Sequence, residues 1–135
     1  MSVVNEILKA ENNCLCFGNY LSVEKLKLDN FEFEGNVYKV KTHNEITRLE
    51  KNGKMLLETV PGSAIHKFSM NESEISFEAD GFENTQITLE LEPDQNYKLT
   101  VDDVVLSTSK ANAFGKFSFS LTLSSDVQAI NIKRV

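Results

Sequence analysis

Apolar and polar residues alternate along most of this chain, in short runs separated by turn-forming residues. Leu15 and Phe17, Phe31 and Phe33, then Tyr38 and Val40 each skip one position, with Glu32, Lys39 and Lys41 among the polar neighbours. Side chains two apart on a strand share a face, so these runs predict half-buried strands. Residues 46–50 and 55–60 flank Lys51-Asn52-Gly53-Lys54, where Asn-Gly supplies the two positive-φ positions of a type I′ hairpin. Pro61-Gly62 ends that unit, and residues 65–70, 74–79 and 86–91 continue the alternation, with predicted turns at Asn71-Glu72 and Asp80-Gly81. Four more runs, 97–101, 104–109, 116–123 and 127–133, are divided by Asp102-Asp103, by 112–115 and by 124–126.

The first residues read differently. Val3, Val4, Ile7 and Leu8 recur at helical spacing with Ser2 placed as an N-cap, which predicts an amphipathic helix over residues 1–12. So short a helix is marginal alone, so these four residues are expected to dock on the chain's own core or on another subunit. The whole pattern predicts an all-β fold, an antiparallel β-sandwich or barrel of about ten short strands with one short N-terminal helix. Residues 13–135 form one domain in this reading, divisible into packed halves at 13–92 and 93–135. An internal echo suggests the division: Tyr38-Lys39-Val40 precedes Gly53 by 15 residues, and Tyr97-Lys98-Leu99 precedes Gly115 by 18. Hairpin grammar alone produces such an echo, and chance convergence is the favoured account.

Composition narrows the function classes. With 135 residues, 41% of them hydrophobic and 25% charged, the chain matches a single soluble globular domain. Twenty acidic against fourteen basic residues give a net charge of -6, with Arg48 and Arg134 the only arginines; a nucleic-acid partner is disfavoured. The acidity is local. Between Lys67 and Lys98 there are eight acids and no base, leaving twelve acids against fourteen bases elsewhere. Alternation places Glu74, Glu78 and Asp80, then Glu90 and Glu92, opposite apolar neighbours, which predicts a solvated acidic sheet face and a candidate interaction surface. That surface could meet basic residues of another copy, such as Lys25, Lys27, Lys39 and Lys41.

Chemical motifs are sparse. Calcium needs six to eight oxygen ligands from a tight loop, and only Asp80-Gly81 hints at one. Strand acids at glycosidase-like separations carry no specificity. His43, in a polar turn, and His66, read as a satisfied and partly buried histidine, have no Cys or His at zinc-ligand spacing. Ser63 lies in no nucleophile elbow, and no glycine-rich phosphate loop is present. No catalytic residue, metal or cofactor is therefore assigned. Cys14 and Cys16, one residue apart with no cationic sequence neighbour, read as free, buried strand thiols. With no signal-peptide run and no membrane-length apolar stretch, a cytoplasmic location is expected.

Two stretches resemble known bacterial protein groups. Tyr97 to Asp103, then Ala111 to Leu121 through Phe114-Gly115-Lys116-Phe117, resembles the small β-sandwich modules that end many bacterial polysaccharide-acting enzymes, although Asp102-Asp103 stands where those have Asp-Gly. Phe31-Glu32-Phe33-Glu34-Gly35 through Tyr38 to Thr42, with Glu45-Ile46-Thr47, Asn52-Gly53 and Val60-Pro61-Gly62, is similar to short bacterial proteins often labelled endosialidase. The label implies an arginine cluster for the sugar carboxylate, which two arginines and no tryptophan do not supply; no catalytic residue is carried over. The expected function is that of a non-catalytic interaction or structural protein, self-associating or bound to another protein. The alternative is a carbohydrate-binding or glycan-processing module, with Tyr20, Tyr38 and Tyr97 as the candidate glycan platform.

Overall fold

In the computed structural model, which describes residues 3–135, the alternating runs become strands. In chain order they are β1 Leu8–Glu11, β2 Cys14–Phe17, β3 Leu26–Phe33, β4 Asn36–Thr42, β5 Thr47–Lys51, β6 Lys54–Val60 and β7 Ser63–Met70. The remaining six are β8 Glu74–Gly81, β9 Asn84–Glu90, β10 Asn96–Val101, β11 Val104–Lys110, β12 Lys116–Thr122 and β13 Gln128–Arg134. Tight turns with both residues at positive φ join four of the hairpins: Asn12-Asn13, Glu34-Gly35, Asn52-Gly53 and Asp102-Asp103. Their twist matches that of the flanking strands.

The strands form two antiparallel sheets. One has seven strands in the order β1-β2-β7-β8-β13-β10-β11, and the other has six in the order β12-β9-β6-β5-β4-β3. Period two sorts each strand into a core face and an outer face. Phe17, Ile65, Phe77, Leu99 and Ile130 from the first sheet share one core with Val40, Leu49, Leu57, Ile87 and Phe117 from the second. Each large apolar side chain buried there contributes roughly 1.5–3 kcal/mol. Tyr97 on β10 meets Phe117 on β12 with ring centroids 5.7 Å apart, which lays those strands over one another. Segments 13–92 and 93–135 are interleaved: β13 pairs with β8, and β12 with β9.

Two expectations are corrected. No helix occurs among the described residues. Met1 and Ser2 lie outside them, but Val3 and Val4 belong to no regular element, Asn5-Glu6 form a turn, Ile7 bends the chain and Leu8 begins β1. Val4 and Leu8 are buried and Val3 and Ile7 half-buried. The Val4 N–H donates to Gly18 O (2.9 Å) and the Gly18 N–H to Ile7 O (3.2 Å), so the stripe docks beside β2 of its own sheet. Pairing with β2 satisfies backbone groups across four register pairs, whereas a short isolated helix would have had to pay nucleation for few bonds. The second correction concerns Asp80-Gly81, which closes strand β8 and is not a turn.

Candidate functional site

Among the described residues, strand β11 is the sheet edge that nothing covers. The Asp102-Asp103 turn returns the chain from β10 so that Val101 faces Val104, and β11 then runs beside β10 to Lys110, bulged at Leu106 where the register shifts between Thr100–Val105 and Leu99–Ser107. All seven of its residues are exposed. In a strand, successive side chains point to opposite faces, so β11 projects past the second sheet with both faces free. Val104, Val105 and Leu106 are 59%, 56% and 52% exposed.

The other edges carry the usual protections. β1 has four residues, with Lys9 and Glu11 on it. β3 is bulged between Leu28 and Phe31, with Asn30 at φ 58, and carries Lys27 and Asp29. β12 turns Ser118, Ser120 and Thr122 outward and buries Phe117 and Leu121. The sequence shows Val104-Val105-Leu106 after a turn signal, but not that no second layer lies above it.

The predicted acidic face divides between the two sheets. Glu74 and Glu78 lie on β8 and Glu90 on β9, while Glu92 follows β9. Glu78 approaches Lys67 at 3.7 Å, Glu90 binds Lys116 Nζ at 3.2 Å and Glu74 accepts from Asn131. Glu74, Glu90 and Glu92 do converge at one open end of the sandwich, lining a cavity of about 220 Å³ with Tyr97 and Ile132. Asp80 stands apart, fully buried. The three tyrosines are buried as well, at 4% for Tyr20, 6% for Tyr38 and 5% for Tyr97, so none offers a ring face on which a sugar could stack.

Asp80 instead organises a polar cluster that local alternation did not reveal. The Tyr20 hydroxyl donates to Asp80 Oδ2 at 2.7 Å, and His66 Nε2 lies 2.8 Å from Asp80 Oδ1. A bulge in β7 with Lys67 at φ 55 sets this up: it turns Phe68 into the core while His66 stays on the outer face, diagonal to Asp80. Burial is the main cause holding the Tyr20 phenol well above its usual titration range, followed by its hydrogen bond to Asp80 and the Asp80 charge. Tyr38 is also raised, first by burial and then by the Glu34 charge. His43 is buried, with Nδ1 3.2 Å from Asn44 Oδ1. Both cysteines are free, Cys16 buried and Cys14 half-buried. Among the described residues no three His, Cys, Asp or Glu side chains gather in a metal-binding arrangement, and no helix is long and apolar enough to cross a membrane.

No family model matches the chain, and no curated protein or solved structure matches it.

Proposed function

We propose that this protein works by contact with a second copy of itself, through antiparallel pairing of β11 across a two-fold axis. The fully exposed edge strand with three exposed apolar side chains carries the reading. An unpaired edge presents a row of N–H and C=O groups that another strand can satisfy.

Charge selects the occupant. β11 contains no acid, begins after Asp102-Asp103 and ends at Lys110. Antiparallel pairing centred on Ser107 sets Lys110 of one copy opposite Val104 of the other, beside Asp103, and repeats the contact at the far end. The same operation brings Val105 and Leu106 of each copy against Ser109 and Thr108 of the other. A homodimer of this kind joins the two seven-stranded sheets into one.

One strand pair is a small interface, so the association is expected to depend on concentration. Sedimentation of the full chain across micromolar to millimolar concentrations tests it. A monomer–dimer equilibrium is expected in the wild type. Leu106→Lys is expected to give monomer throughout, and Lys110→Glu, which faces Asp103 with a like charge, to weaken the dimer about tenfold. A wild type that stays monomeric at every concentration, or a Leu106→Lys variant that dimerises as well as wild type, overturns the proposal.

A further inference from the structure

The outer face of the seven-stranded sheet brings together groups that are far apart in sequence. Lys9 on β1 is the cross-strand partner of Cys16. On the other side of Cys16 the register jumps from Leu15–Phe68 to Phe17–Ile65, so the bulged pair His66-Lys67 lies across from the thiol. Cys16, with no cationic neighbour along the chain, thus has Lys9 on one flank and His66 and Lys67 on the other.

Cys16 and His66 line the same cavity, of about 440 Å³, together with Lys9, Lys67, Glu6 and Glu78. That volume falls within the roughly 300–1,000 Å³ of small-molecule sites. The imidazole is held from behind: Asp80 is 0% exposed and accepts from Tyr20 on Oδ2, leaving Oδ1 for His66 Nε2. With Nε2–H donating to the carboxyl group, Nδ1 is the ring's acceptor. A nucleophile and a base therefore line one cavity, with the residue that orients the base buried behind it.

We propose that Cys16 is a modification site for a small disulfide carrying both ammonium and carboxylate groups. The Cys16 sulfur attacks one sulfur of the disulfide and the S–S bond of the reagent breaks. A mixed disulfide forms on Cys16, and the other half leaves as a thiol. The proton lost by Cys16 passes to His66 Nδ1 and then to the leaving sulfur, so the exchange needs no further oxidant. The walls favour a zwitterion because they carry both signs: Lys9 stands with Glu6 and Glu11, and Lys67 with Glu78 as a solvent-accessible pair 3.7 Å apart that an incoming carboxylate and ammonium can exchange with.

The test uses the folded full chain with cystine or oxidised glutathione, read by intact mass and peptide mapping. Cystamine, cationic only, and dithiodipropionate, anionic only, are the comparison probes. Cys16 is expected to take up the zwitterionic disulfides about tenfold faster than half-buried Cys14 does, and faster than it takes up either single-sign probe. Cys16→Ser should abolish the adduct and Cys14→Ser preserve it. His66→Gln should slow it about tenfold or more, as expected when a general base is lost. The comparison of the two thiols in the wild type needs no variant to fold. Labelling confined to Cys14, reaction of Cys16 only in denaturant, or a folded His66→Gln variant reacting at the wild-type rate would each overturn the assignment.

Discussion

The hydroxyl of Tyr20 donates to a carboxyl group with no solvent contact, over 2.7 Å. Tyr20→Phe keeps the ring, which meets Phe82 edge-on at 5.0 Å, but leaves Asp80 Oδ2 without that donor. A loss of about 1–3 kcal/mol in urea-unfolding free energy is expected. Both Tyr20 and Tyr38 titrate above their unfolded value of 10.0. Above that pH the unfolded chain has released phenolic protons that the folded chain retains, so stability falls as pH rises. Unfolding midpoints are expected to be insensitive to these phenols below pH 10 and to decline above it, with a shallower decline in Tyr20→Phe. Backbone space separates two glycines of similar φ. Gly18, at φ 105, would bring an added Cβ to 2.3 Å from Ser63 O, whereas Gly53, at φ 84, has nothing within 4 Å. Gly53→Ala should cost about 1 kcal/mol through its dihedral alone, and Gly18→Ala distinctly more.

At the scale of elements, the turn pairs decide the local structure. Asn52-Gly53 was readable as a type I′ turn because both residues favour positive φ and apolar alternation flanks them. Asn12-Asn13 makes the same turn, with φ of 52 and 64, but Val3, Val4, Ile7 and Leu8 happen to fit a helical repeat, which hides the first strand of that hairpin. The physical arbiter is the neighbour. β1 pairs with β2 and buries Leu8 to 2% exposure, a long-range gain that no local window contains. Leu8→Ala is accordingly expected to cost about 2–5 kcal/mol in equilibrium unfolding, as for a core leucine; a surface residue would show a few tenths. The same limit governs Asp80 and Cys16. Period two states which face a residue occupies, but not which strand lies alongside or which loop covers that face. Pairings such as β2 with β7 and β8 with β13, together with the Tyr20 loop, are what turn an expected surface acid into a buried anchor.

For the whole molecule, the net charge of -6 describes the sum and not the surface that one copy would present to another. The acids between Lys67 and Lys98 are divided between two sheets and an open end, several of them held by Lys67, Lys116 and Asn131. The long uncovered edge strand, β11, carries none. Two copies meeting edge to edge through β11 thus place the acid-rich strand β8 three positions inward in each sheet, behind β13 and β10, which limits repulsion at the contact. Pairing that occurs only between folded copies stabilises them by mass action. The thermal midpoint of the wild type should therefore climb with protein concentration, while that of Leu106→Lys stays level because its edge presents a charge where strand pairing would bury a leucine. A concentration series by differential scanning calorimetry separates the two behaviours. Parallel, level midpoints for both proteins would mean that β11 remains unpaired in solution despite its composition.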